Sequence, residues 1–487
     1  MKSSLTLLTA VILFITCAPK DKQKPVKSNE VFTIELQQLK EYFHIPGLAV
    51  LVQKGDSVLY EDYMGYANME NKIKVEATTE FPIASITKMF AGVALMKLME
   101  EGNLSLEDPI DNYLTHATFG DSIKVKHILS HTSQGQVGQH FYYSYRFGAL
   151  TPVIAKASNT SFEAYIENEV FRPLGLTSTY MFSDSSSVNP STAQPYNFDA
   201  NIVPGIMEFG ASASAGIVST ARNMAAFSKA LENNSLITPA SKHLMYVPFI
   251  PSSPYGLGIF TQEIANKNIV WAYGQYDSYS SLLLKVPEDE LTLVLLANNN
   301  LLSDPARLIN GDVSSSLFAM SFLKNYVLEQ EEVPLFESAE TLSKNTSEFH
   351  RKKIMAEALA ASFMARFDDK ALEKSKQLLR TFFTLYPDYL EHANLNLLHT
   401  LTFIKNVHFH KDLGSFEAFD PQIEAISKKL LEEDMDNPYV NVYMGAYFDQ
   451  KGDLEKAKVH YENIIHSKNF SPFWYTAEAK NWLAQNN

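Results

Sequence analysis

The chain of 487 residues has a single cysteine, Cys17, so no intramolecular disulfide can form and a disulfide-stapled scaffold is excluded. Positive charge is in deficit. Forty-one Lys and Arg stand against 55 Asp and Glu, a formal net charge of −14, which argues against a nucleic-acid surface. There is no Gly-x-x-x-x-Gly-Lys-Ser/Thr loop to cradle phosphates and no Gly-x-Gly-x-x-Gly fingerprint for a dinucleotide. No nucleotide, flavin or metal cofactor is therefore expected. Membrane-length apolar runs are missing too: Leu5 to Ile15, after Lys2, is too short to span a bilayer and fits a signal peptide.

Cys17 closes that run and resembles the lipidated cysteine of a bacterial lipoprotein signal, although Phe14-Ile15-Thr16 departs from the usual residues before it. The expectation is a signal peptide over 1–17 and a polar, Lys- and Pro-containing tether over 18–33. The protein is then exported, periplasmic or at the cell surface, and touches the membrane through its lipid anchor only. What remains is ordinary globular material, 46% hydrophobic and 20% charged, and long enough for two or three domains.

The stretch Phe81 to Lys88, FPIASITK, places Ser85 three residues before Lys88. On a helix that starts near Ser85, the two side chains share one face, and the helix N-terminus offers unpaired N–H groups. A buried lysine loses its charged form more readily and can take a serine proton. The spacing alone equally fits a helix N-cap followed by a surface lysine.

Along the chain, 46–54 and 57–64 read as a hairpin turning at Gly55-Asp56, and Ala84 to Glu101 as a helix ended by Gly102. His127 and His131 have the i, i+4 spacing of metal ligands, but no glutamate stands beside the first and no third ligand follows, so no metal site is expected. Gly210-Ala-Ser-Ala-Ser214 is not a nucleophile elbow, because its fifth residue is serine. Strands are expected at Ile269–Gly274, Ser280–Val286 and Leu291–Ala297. With strands at both ends and helices between, the fold is α+β, its first and last strands sharing one sheet. An acidic linker is expected at 329–347, and the pattern is helical from about 348 to 487. There Gly445, Phe448, Ala457 and Tyr461 fit the packing positions of a tetratricopeptide-type helix pair, and an unrelated small bundle fits as well.

From about 34 to 328 the chain resembles the serine β-lactamase-related family of class C β-lactamases, D-alanyl-D-alanine peptidases and esterases. The resemblance rests on IPGLAVLVQKGDSVLYEDYMGYAN, FPIASITKMF, GNLSLEDPIDNYL, HILSHTSQG, FRPLGLTSTYM, AGIVSTARNMAAF, YGLGIF and GQYDSYSSLLLKVPEDELTLVLLANN, in the family's order. It implies a β-lactamase/transpeptidase-like domain, an antiparallel sheet flanked by helices plus an all-helical part, followed by the helical tetratricopeptide-like region. It also implies Ser85 as nucleophile, Lys88 as its base, and Tyr143, with a pKa lowered by the lysine ammonium, as proton shuttle. The backbone N–H groups of Ser85 and Gln275 would form the oxyanion hole. Two positions depart from the family's motifs. Tyr145 stands at the asparagine of Tyr-x-Asn. Ala272, in Ala272-Tyr273-Gly274, stands where the family has a lysine or histidine. These four residues would contact substrate, with Arg146 or His140 as candidates to replace the lost charge.

Two readings follow. One is an extracytoplasmic serine hydrolase forming an acyl-enzyme on a small-molecule or peptide ester or amide, cell-wall fragments included, and working poorly on β-lactams. The other is a catalytically degenerate, penicillin-binding-like protein that binds a ligand, with a protein partner docking on the C-terminal helices.

Overall fold

The computed structural model describes residues 26–486, except 252, 331, 346, 393, 415 and 468. The expected signal peptide, Cys17 and most of the expected tether lie outside the described residues. The tether reading is corrected at its end: a helix runs over Val26–Tyr42, and its Phe32, Leu36 and Leu39 are buried. Those apolar positions recur every three to four residues, which suits a helix laid on a core better than a free tether. Buried Glu35 accepts hydrogen bonds from Ser321 Oγ (2.6 Å) and Asn325 Nδ2 (2.8 Å) and pairs with Lys324, tying this helix to the segment 321–325.

The centre is a seven-stranded antiparallel sheet. From one edge to the other its strands are Ile73–Lys74, Ser57–Asn68, Gly47–Lys54, Leu291–Ala297, Ser280–Val286, Lys267–Gln275 and Phe260–Ile264. The first long strand pairs with the last, Val50 opposite Leu295, so sequence-distant segments close one sheet as expected. Both faces are covered, which explains why 291–297 is apolar at nearly every position rather than alternating. One face packs against the helix Thr87–Glu100 and its neighbours, with Ala272 on this side. The other face packs Trp271, Tyr273 and Leu284 against the N-terminal helix and the helix Leu317–Phe322.

The segment expected as a linker is packed rather than free. Leu335 joins the second core, and Glu337 pairs with His350 (3.1 Å) and Lys353. The first C-terminal helix, Glu348–Met364, puts Phe349, Ala356, Ala360 and Phe363 into that same core, so no gap in packing marks residue 348. Further helices follow at Asp369–Leu385, Leu395–His410, Asp420–Glu433, Pro438–Gln450, Leu454–His466 and Trp474–Asn486. Gly445 lies under the ring of Tyr461, where a Cβ would come within 2.7 Å of it, and Ala457 is fully buried, so these positions do pack one helix on the next. Among the described residues no helix is long and apolar enough to cross a membrane.

Candidate active site

Ser85 lies in a 3₁₀ turn, Ala84–Ile86, and the α-helix proper begins only at Thr87. The expected helix start at Ala84 is thus corrected by one turn. Ala84 sits at φ +45°, a left-handed conformation that a residue with a Cβ rarely adopts. This turn presents Ser85, the one residue of 81–90 that is not buried.

Lys88 Nζ stands 3.0 Å from Ser85 Oγ and 3.0 Å from the carbonyl oxygen of Ser214. Lys88 is 5% exposed, has no carboxylate partner among the described residues, and is flanked by the rings of Tyr143 (4.9 Å) and Phe147 (5.4 Å). Burial pulls its pKa down to about 7. A substantial fraction is then a neutral amine at neutral pH. Its lone pair can face Ser85 while an N–H donates to Ser214.

Tyr143 is half-buried beside this pair, with its ring centroid 5.9 Å from that of Tyr273. The expectation that its pKa is lowered is corrected. Burial dominates and raises it, and a lysine poised near neutrality supplies little charge to oppose that. Tyr143 is therefore a neutral phenol rather than a phenolate.

His131, expected by spacing as one of two histidines on a helical face, has another part. The short helix Val125–Leu129 ends before it, and it sits at φ +57°. It stacks on Tyr143 at 4.4 Å, and its Nδ1 accepts a hydrogen bond from the Ser144 backbone N–H (3.1 Å). Burial and Lys88 hold it well below the usual imidazole range, so it is neutral and places the tyrosine segment. His127 Nδ1 accepts instead from the Lys124 N–H.

The strand Lys267–Gln275 brings the third element. It is not the sheet's edge along its first half, since Phe260–Ile264 pairs with it as far as Trp271. Beyond that point its outer side is released from the neighbouring strand. Gly274 allows the strand to press on the Ser85 turn: a Cβ there would lie 2.0 Å from the Ile83 carbonyl oxygen. Ser281 Oγ donates to that same oxygen (2.9 Å) and fastens the two. Gln275 follows directly and lines the cavity with Ser85, which is where a second oxyanion N–H is wanted.

The cavity has a volume of about 430 Å³ and brings together Ser85, Lys88, Tyr143, Tyr145, Tyr273 and Gln275. Ala272 and Gly274 do not line it. Ala272 is 5% exposed within the core, because alternation along the strand points it to the helix side. Tyr145 is 75% exposed at the mouth. Neither expected substitute for the lost cation is there. Arg146 donates to Ser133 O (2.6 Å), Ser471 Oγ (2.7 Å) and Asn469 O (2.9 Å), and His140 is not among the lining residues. The lining guanidinium is Arg307, accompanied by the carboxylates Glu208, Asp277 and Asp304. The sequence reading also missed Ser214 and four aromatic residues, Tyr439, Tyr443, Phe473 and Trp474, which complete the lining from the C-terminal helices and the turn before the last of them.

A serine facing a buried lysine one turn along, with a tyrosine ring against the lysine and a sheet strand pressed on the turn, is the site architecture of the β-lactamase-related serine hydrolases. The chain belongs to the Beta-lactamase family, whose model matches residues 36–312. It is 26% identical over 337 residues to PbpX of Bacillus subtilis (strain 168), covering 61% of this chain and 82% of PbpX. It is also 26% identical over 303 residues to Protein flp of Staphylococcus aureus (strain N315), covering 53% of this chain and 60% of that protein. Among solved structures, the octameric penicillin-binding protein homologue from Pyrococcus abyssi superposes with a TM-score of 0.53 at 23% identity, over 55% of this chain and 73% of its own. The D-amino acid amidase from Ochrobactrum anthropi SV3 gives 0.50 at 20%, over 56% and 91%. At such identities the structural likeness shows the fold.

Proposed function

We propose that the protein is an exported hydrolase, anchored through Cys17, that cleaves an uncharged ester or amide through an acyl-enzyme on Ser85. The observation that carries this reading is the 3.0 Å approach of Ser85 Oγ to a lysine amine that burial holds near neutrality. Neutral Lys88 takes the serine proton as Oγ attacks the acyl carbon. The N–H groups of Ser85 and Gln275 receive the oxyanion, and the Tyr143 hydroxyl passes a proton to the leaving group. A water then attacks the acyl carbon by the reverse relay and frees Ser85. A carboxylate-bearing β-lactam fares worse. Ala272 offers no cation, and carboxylates outnumber the single guanidinium around the cavity. Losing one charge-assisted hydrogen bond costs about 1.5–3 kcal/mol, or roughly ten- to hundredfold.

The test is intact-protein mass spectrometry of the form lacking residues 1–17. A fluorophosphonate is expected to add once, on Ser85, and to leave Ser85→Ala unmodified. A penicillin is expected to leave the wild type unmodified under the same conditions, and nitrocefin to be turned over far more slowly than a nitrophenyl ester. Absence of the fluorophosphonate adduct would sink the hydrolase reading in favour of a binding protein, and a stable penicillin adduct would overturn the substrate preference.

A further inference from the structure

The C-terminal helices, expected from sequence as a separate helical region, stand over the cleft that holds Ser85. Ser471 N donates to Gln134 Oε1 (2.8 Å), Asn469 Nδ2 to Gly135 O (3.1 Å), and Arg146 holds the same 469–471 segment. Tyr142 O–H donates to Asp434. On the far side, Arg307 Nε donates to His399 Nε2 (3.0 Å) and Asn310 Nδ2 to Asn396 Oδ1 (2.6 Å). Phe473 meets Tyr145 edge-on at 4.7 Å across the mouth. Polar fastenings on two sides of one cleft fix the helices as a wall.

Behind that wall is a second cavity of about 380 Å³. Arg307, Tyr443 and Trp474 line both cavities, so the two adjoin at these side chains. Each falls in the range, about 300–1,000 Å³, of a pocket that holds one small organic group. The second is lined by aromatic faces together with Asn406 and Gln450. Gln450 Nε2 donates to Asn406 Oδ1 (3.0 Å). That pairing leaves Asn406 Nδ2 as donor and Gln450 Oε1 as acceptor, neither with a protein partner among the described residues. A donor and an acceptor side by side complement the C=O and N–H of a secondary amide.

We propose that the helical region is part of the substrate site. The substrate is peptide-like: its scissile bond lies at Ser85, an apolar or aromatic side chain rests on Phe473 and Trp474, and a distal amide is held by Asn406 and Gln450. This deepens the hydrolase reading above and rests on it for the position of the scissile bond.

The experiment compares p-nitrophenyl acetate with the p-nitrophenyl ester of N-acetyl-glycyl-phenylalanine, in both hands of phenylalanine. Trp474→Ala, on a side chain 42% exposed, and Gln450→Ala are the variants. For the preferred hand, kcat/KM on the peptide ester is expected to fall about tenfold more than on the acetate in Trp474→Ala, and about three- to tenfold more in Gln450→Ala, through KM. Calorimetric titration of N-acetyl-glycyl-phenylalanine amide into Ser85→Ala, alone and combined with each variant, reads the same contacts without turnover, and affinity should weaken in parallel. Equal losses on both esters, or an affinity that neither variant changes, would overturn the proposal. If the wild type cleaves neither ester and takes no fluorophosphonate, the hydrolase reading falls, while the titrations still decide whether the helical wall binds peptide.

Discussion

Lys88→Ala is expected to lower kcat/KM for an activated ester by about 10³-fold, within the range of roughly 10²–10⁴ that a positioned general base contributes. The substitution removes the base 3.0 Å from Ser85 Oγ and leaves Tyr143, whose raised pKa makes it a poor replacement. The pH profile makes the prediction specific. In the proposed mechanism Lys88 works as the neutral amine, and burial brings its pKa down to about 7. In the wild type kcat/KM should therefore rise with pH, tenfold per unit, up to about pH 7 and then level off. In Lys88→Ala that limb should vanish rather than shift. A limb that persists unchanged in the variant would assign the titration to another group and remove Lys88 from the mechanism.

The same burial has a stability consequence whose sign follows from linkage. Unfolded, the lysine holds its proton up to its ordinary value near 10.5; folded, only to about 7. Between these values the unfolded chain binds more protons, so this group's contribution to stability rises with pH. Below about pH 7 the folded protein carries a buried charge and the penalty is at its largest. Lys88→Met should accordingly raise the melting temperature more at pH 6 than at pH 9. This is the stability cost that a poised catalytic group imposes.

Gly274→Ala is expected to cost about 10²–10³-fold in kcat/KM while the protein remains folded. The added Cβ would meet the Ile83 carbonyl oxygen at 2.0 Å and Ser281 Oγ at 2.4 Å, both in a buried seam that cannot open to solvent. Relief requires the strand to withdraw from the Ser85 turn and breaks the Ser281 hydrogen bond to Ile83. Two things then move together: Ser85, and the Gln275 N–H proposed to receive the oxyanion. Misplacing a reacting group by about 1 Å costs on the order of 10²-fold, and losing an oxyanion donor a similar amount. Overpacking costs about 1–3 kcal/mol, so the melting temperature should drop by several degrees without loss of the far-UV circular dichroism spectrum. Full activity in Gly274→Ala would show that the strand's close approach is not what sets the oxyanion geometry.

Much of this protein was legible in the chain before it was folded. The hairpin at Gly55-Asp56, the strands 280–286 and 291–297 and the helix after Ser85 follow from local pattern, because turn residues and unbroken apolar runs act over a few neighbours. Ser85 and Lys88 are three residues apart, so one helical turn nearly suffices to join them. Resemblance added Tyr143, Tyr273 and Gln275, which the fold does bring to the cleft.

Other features depended on contacts between segments far apart in the chain. The fate of Ala272 was set by which face of a central strand it occupies, and that of Arg146 by a segment more than 300 residues away. The state of Tyr143 depended on burial outweighing a neighbouring amine, a balance of environments that no local motif records. His131 became a prop for the tyrosine because the short helix before it ends, and the chain turns at φ +57°. The aromatic wall from the C-terminal helices was invisible for the same reason. Aromatic residues in a helical repeat read as core, and only docking by Asn469, Ser471 and His399 turns Tyr439, Tyr443, Phe473 and Trp474 toward Ser85. The sequence alone set Ser85 beside Lys88 and laid out the strands of the sheet that carries them, since these rest on short-range spacing and apolar pattern. The tertiary structure decided the protonation states, the loss of the substitute cation and the shape of the substrate cavity, since those depend on burial and on groups that only folding brings together.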